Sequence, residues 1–182
     1  AQVNEPKLGA QKKSQSLSEK RKKLAENKKK KKAKKQNLKG MSPSQAEINN
    51  LLHQYQTGQY GDAETLALSI TERFPHHNFS WKVLGEIFRK IDRIPEALVA
   101  GQKAVEIDSQ DAEALSNLGV TLKELGRLDE AEASYTQATA LKPDFAEAHN
   151  NLGITLQDLG NLDKAEASYK QAIALKPDYA EA

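Results

Sequence analysis

Asn117 and Asn151 stand 34 residues apart, and each opens an Asn-Leu-Gly triplet. A side-chain amide donates and accepts at once, so a ladder of such groups can bracket peptide units whatever side chains the peptide carries. That is recognition chemistry rather than catalysis. The chain has no Cys, which excludes disulfides, thiolate zinc sites and cysteine nucleophiles. Its histidines are His53, His76, His77 and His149, with no carboxylate cluster at ligand spacing beside them, so no metal site is expected. His76 and His77 follow Pro75 in an expected loop between helices. The acids of Leu128-Asp-Glu-Ala-Glu132 read as a solvated helix face. Gly58-Gln-Tyr-Gly61 reads as a turn between helices, not a phosphate loop. Asn78-Phe-Ser80 is formally a glycosylation acceptor, but no secretion signal makes it relevant. No catalytic residue and no cofactor is expected.

The elements that must position the asparagines are written in a repeat. Residues 112–145 and 146–179 align without gaps, with 24 of 34 positions identical. One period back, residues 78–111 keep Trp81, Leu84, Gly85 and Ala97; a further period back, residues 44–77 keep Gly58, Ala63 and Pro75. Self-similarity at this period signals stacked supersecondary units. Within residues 112–145, Leu115, Leu118, Leu122 and Leu125 fall on one helical face. Gly126 suits the left-handed residue that ends a helix. A second stripe runs through Leu128, Ala131, Tyr135, Ala138 and Leu141, and Pro143 stops it. Asp144-Phe-Ala-Glu147 has the form of a capping box, with Asp144 as the cap of the next helix. Each unit is therefore two helices, and a lone pair cannot bury its apolar face, so the units must stack.

The charge is divided unevenly along the chain. Residues 1–40 hold 15 Lys or Arg against three acids, a net +12, while the remainder carries −10 of the overall +2. The run Lys28 to Lys32 repels itself, and residues 1–40 contain no aromatic side chain, so a disordered basic tail is expected there. Residues 12–39 could draw nucleic acid or an anionic surface weakly and without sequence preference, or serve only to keep the chain in solution. No apolar run approaches the ~20 residues that span a bilayer, and Ala1 to Leu8 lack the apolar core of a signal peptide. A cytoplasmic chain is expected. The last three residues, Ala180-Glu-Ala182, repeat the opening of a unit, and Met41 is the only Met. The sequence is expected to be a fragment of a longer protein.

These in-phase residues resemble the tetratricopeptide (TPR) repeat. Its pattern appears as Trp81…Leu84-Gly85…Phe88…Ala97, as Leu118-Gly119…Leu122…Ala131…Tyr135…Pro143, and as Leu152-Gly153…Leu156…Ala165…Tyr169…Pro177. The second unit departs from it at Gly101, where the family has an aromatic, and at Ser109, where it has Pro. The resemblance implies an all-α, right-handed solenoid of about four units over residues 41–182, with the first helix of each pair lining a concave peptide groove. In that groove it places Lys82, Val83, Glu86, Arg89 and Lys90; then Glu113, Ser116, Asn117, Val120, Lys123 and Glu124; then Glu147, Asn150, Asn151, Ile154, Gln157 and Asp158. The asparagines are similar to the ladder by which O-GlcNAc transferases hold extended substrates. The carboxylate clamp of chaperone-binding TPR domains is disfavoured, because Glu86, Glu147 and Asn151 stand where that variant has Asn, Lys and Arg.

What the resemblance implies is a scaffold that holds an extended peptide of a protein partner. The alternatives are the substrate-holding part of a SPINDLY-type glycosyltransferase, sulfotransferase or methyltransferase, or an adaptor that meets nucleic acid through its tail. Residues 48–58 with Pro75-His-His resemble the bacterial TPR segments that precede such transferase domains.

Overall fold

The computed structural model describes residues 42–177. The basic tail expected over residues 1–40 and the repeat opening at 180–182 lie outside the described residues. The described residues form eight α-helices in succession: α1 (Gln45–Gln56), α2 (Tyr60–Arg73), α3 (Asn78–Lys90), α4 (Ile94–Ile107), α5 (Ala112–Glu124), α6 (Leu128–Leu141), α7 (Ala146–Asp158) and α8 (Leu162–Leu175). The helices α3, α5 and α7 begin 34 residues apart, and α4, α6 and α8 end 34 residues apart.

The first helices of the pairs start with different chemistry. Ser44 and Glu47 form a reciprocal capping box on α1. Asp111 caps α5, its carboxylate accepting from the N–H groups of Glu113 and Ala114 at 3.0 Å. The cap expected at Asp144 does not form, because α7 starts at Ala146 and Phe145 occupies the cap position. Phe145 stands where Asp111 stands one repeat earlier. It packs against the cluster of Ala112, Leu115, Ala138 and Ala148 instead of bonding backbone. Pro95 sits in the first turn of α4, where its missing N–H costs nothing.

Between the two helices of each pair the chain passes through a left-handed residue: Gly58, Asp92, Gly126 and Gly160, with φ between 60° and 77°. The next N–H reaches back five residues in every case, as in Arg127 to Leu122 O at 2.9 Å and Arg93 to Phe88 O at 2.8 Å. Asp92 is the one non-glycine there and carries the strain of an L side chain at positive φ. Asp92→Gly should therefore stabilise the solenoid by about 0.5–1 kcal/mol, the relief of that strain less the glycine's extra unfolded-state entropy. Urea unfolding checks this, and an unchanged or lower midpoint would count against it.

The loop carbonyls before α3, α5 and α7 are also claimed in phase. Trp81 Nε1 donates to Pro75 O at 3.0 Å, and His149 Nε2 lies 3.0 Å from Pro143 O two repeats later. In the intervening unit Gln137 of α6 takes the Ser109 carbonyl at 3.4 Å.

Packing follows from residue size at two positions sixteen residues apart. A Cβ on Gly119 would lie 2.8 Å from the Tyr135 ring, and one on Gly153 would lie 2.7 Å from the Tyr169 ring. In the first pair the same positions hold Leu51 and Ala67, both fully buried, so large and small have changed places. In the second pair both are glycine, and Gly85 comes within ordinary contact of the Gly101 backbone. Tyr135 joins Leu118, Leu122 and Ala131 to Leu152, Leu156 and Ala165 in a cluster that runs from one repeat into the next. Burying each such leucine contributes roughly 1.5–3 kcal/mol, which is how stacking offsets the ordering of each pair.

Candidate functional site

The first helices of neighbouring pairs (α1 and α3, α3 and α5, α5 and α7) touch one another, whereas the second helices make no comparable contact with each other. The row of first helices is thus the inner, shorter side of the stack. Asn117 on α5 and Asn151 on α7 occupy equivalent places on this row, with Asn150 beside Asn151. All three are half-buried. Among the described residues nothing hydrogen-bonds their side-chain amides. Their backbones are fixed, however: Thr121 Oγ1 donates to Asn117 O at 3.1 Å and Thr155 Oγ1 to Asn151 O at 2.8 Å. Val120 and Ile154, one turn along the same helices, are half-buried, and Val120 packs down onto the core.

Three cations of this face, Lys82, Arg89 and Lys123, are held by acids, whereas Lys90 forms no ion pair among the described residues. Lys82 Nζ lies 2.8 Å from Asp111 and 3.1 Å from Glu113. Burial alone would lower the Lys82 pKa, but bonding to these two acids more than offsets it and holds the pKa above its ordinary value. Arg89 Nη1 meets Glu86 at 2.9 Å, while its Nη2 and Nε grip Glu124 on α5 at 3.1 and 3.2 Å. Lys123 lies 3.9 Å from Asp158 on α7. Glu86 and Lys123, expected as ligand contacts, are thus joined in ion pairs. Glu147 forms no ion pair among the described residues.

Two further residues placed on the groove by sequence are buried: Val83 and Ser116, 7% and 2% exposed. Val83 takes the position of Asn117, and Ser116 that of Lys82 and Asn150. Their side chains are apolar or short, so they do not reach out as the longer polar ones do. Of the histidines, His77 Nδ1 lies 2.7 Å from Ser80 Oγ at the start of α3, and burial lowers its pKa.

Tyr135 comes closer to the inner row than sequence reasoning placed it. It reads as a core aromatic of α6, and its side chain is 1% exposed. Its ring nonetheless crosses Gly119 toward the inner row. Burial raises its pKa, and the charges that act on it belong to Arg89, Glu124 and Glu147, all on first helices. Its hydroxyl has no hydrogen-bond partner among the described residues. The equivalent Tyr169 passes Gly153 in the same way, and its hydroxyl donates to Gln157 of α7 at 2.8 Å. The signal in the sequence was the Gly-to-Tyr spacing of sixteen, which lets a phenol reach through the inner helix.

The comparisons with known proteins agree with this architecture. A tetratricopeptide-repeat family profile matches residues 116–180 and a second TPR-repeat profile residues 85–126, together more than half of the chain. No curated protein matches. Among solved structures, YrrB, described as a TPR protein with an unusual peptide-binding site, is 27% identical over 73% of this chain and 69% of its own, at a TM-score of 0.65. MamA is 21% identical over 98% of this chain and 100% of its own, at 0.68. The second TPR of Spaghetti (RPAP3), bound to the HSP90 peptide SRMEEVD, is 23% identical over 54% of this chain and 92% of its own, at 0.53. Among the described residues no helix is long and apolar enough to cross a membrane.

Proposed function

The chain belongs to the tetratricopeptide-repeat proteins, and on that premise we propose that its inner face holds an extended peptide segment of a protein partner. The observation that carries this reading is the pair of in-phase asparagines, Asn117 and Asn151. Their amides stand on the inner row with no partner among the described residues, although their backbones are pinned. An unbonded amide on a rigid helix costs little to order on binding, and two of them one repeat apart can bracket successive peptide groups. Asn150, Val120 and Ile154 would border the same peptide, while Lys82, Glu86 and Lys123 would set the charge at its edges. The YrrB likeness supports the assignment, since that protein is described as having a peptide-binding site. The cysteine-free sequence suits a cytoplasmic scaffold.

The test is the double substitution Asn117→Ala with Asn151→Ala, titrated calorimetrically with peptides recovered from an unbiased decapeptide library. Affinity should fall roughly tenfold, about 1.4 kcal/mol for the lost hydrogen bonds. Helicity and thermal midpoint should not fall, because neither amide bonds to the rest of the fold and Ala is the better helix former. An unaltered affinity would remove the asparagines from the site.

A further inference from the structure

We infer that the inner face between α3 and α7 selects extended peptides bearing lysine or arginine, and that the Tyr135 hydroxyl donates a hydrogen bond to the peptide backbone from the groove floor. This rests on the peptide-holding reading above and names the class of peptide.

Charge is the first support. Along α5 and α7 the inner face presents Glu113, Glu124, Glu147 and Asp158 with Lys123 as its cation. Lys123 is drawn to Asp158, and the cations of α3 that reach this region, Lys82 and Arg89, are bound to acids of this face. Away from Lys90, the unpaired cation at the C-terminal end of α3, an acidic ligand would have to break those pairs or approach Glu147, and like charges there are repulsive. A cationic ligand can meet Glu147, which forms no ion pair among the described residues, without breaking a pair. Glu113, held by Lys82, and Glu147, free of ion pairs among the described residues, occupy equivalent places one repeat apart. An extended polyproline-type peptide presents the same face every three residues, about 9 Å along its axis. Cations at every third residue therefore offer Glu147 a partner in more than one register of the peptide.

Tyr135 is the second, independent support. It is a polar side chain almost wholly buried, and its hydroxyl has no partner among the described residues. It is directed past Gly119 into the field of Arg89, Glu124 and Glu147. In the last unit the same hydroxyl is satisfied by Gln157. The residue equivalent to Gln157 is Lys123, a donor only, and it is turned to Asp158. Burial keeps the Tyr135 phenol protonated at neutral pH, so it meets an acceptor as a donor. A peptide carbonyl is such an acceptor.

The experiment uses the full chain and two blocked heptapeptides, Ac-Lys-Pro-Gln-Lys-Pro-Gln-Lys-amide and its counterpart with Glu for every Lys. Binding at the groove is followed by NMR through the side-chain amide resonances of Asn117, Asn150 and Asn151, which separates it from any binding at residues 1–40. The Lys probe should shift these resonances saturably, with a Kd roughly tenfold or more below that of the Glu probe in low salt. Glu147→Gln should weaken the Lys probe alone. Tyr135→Phe should weaken it about fivefold with an unchanged thermal midpoint. A Glu probe that binds these amides as well as the Lys probe overturns the charge selectivity and leaves the groove standing. So does a library peptide without charge that binds there while both probes do not. Wild-type affinity in Tyr135→Phe overturns the hydroxyl's role. If no peptide of any charge moves the three amides, the peptide-holding reading itself falls, and this inference with it.

Discussion

Replacing Gly119 by Leu will destabilise the solenoid by about 3 kcal/mol, and adding Tyr135→Ala will restore most of the loss. Even a methyl at Gly119 would lie 2.8 Å from Cε1 and Cζ of Tyr135, well inside the 3.5–4.0 Å of a favourable carbon contact. The ring has nowhere to go: it is 1% exposed and is packed among Leu118, Leu122, Leu152 and Leu156. Leucine is otherwise the better helix former by roughly 0.8 kcal/mol, so a loss of this size can only come from the clash. Tyr135→Ala alone opens a cavity and should cost about 3 kcal/mol. The two together reproduce Leu51 and Ala67, the arrangement that the first pair buries completely. Urea unfolding of the four proteins gives the coupling energy, expected at about 3 kcal/mol or more in favour of the double variant. Losses that simply add would show that the two positions do not share one space.

That exchange also shows which parts of the molecule can be read from the sequence. The pair boundaries were legible because Gly58, Gly126, Gly160, Pro143 and Pro177 act locally, each through its own backbone. Asp92 keeps the same turn without the glycine, since the hydrogen bond from Arg93 to Phe88 depends on backbone alone. The Asp144 cap misled because a capping box has a local pattern but competes with packing, and at Phe145 packing prevailed. The equivalent placing of Asn117 and Asn151 was visible as an in-phase repeat. The Tyr135 hydroxyl was not, since its place depends on how closely α5 and α6 approach at Gly119. The pairs Lys82–Glu113, Arg89–Glu124 and Lys123–Asp158 link residues 31 to 35 apart, one period rather than one turn. A reading made within one unit sees those cations as free to meet a ligand. Only the stacking of units reveals them as already bound.

Arg89 tests that difference directly, because stability and binding should move in opposite directions when it is removed. Arg89 is one-fifth exposed, and its guanidinium holds Glu86 on its own helix and Glu124 on α5. Exposed ion pairs contribute up to about 1 kcal/mol, while breaking a buried one costs about 3–5 kcal/mol. A pair of intermediate exposure should lie between, so Arg89→Ala should cost about 2 kcal/mol, with two carboxylates left facing one another. Adding Glu86→Gln and Glu124→Gln should recover about half, and 1 M NaCl should shrink the loss by screening the repulsion. The same variant makes the inner face more acidic. If the groove cations serve stacking and the ligand is cationic, Arg89→Ala should bind the lysine heptapeptide a few-fold more tightly while unfolding at lower urea. A drop in both affinity and stability would mean that Arg89 faces the ligand as well as the next repeat. The selectivity argued for the groove would then need the opposite sign.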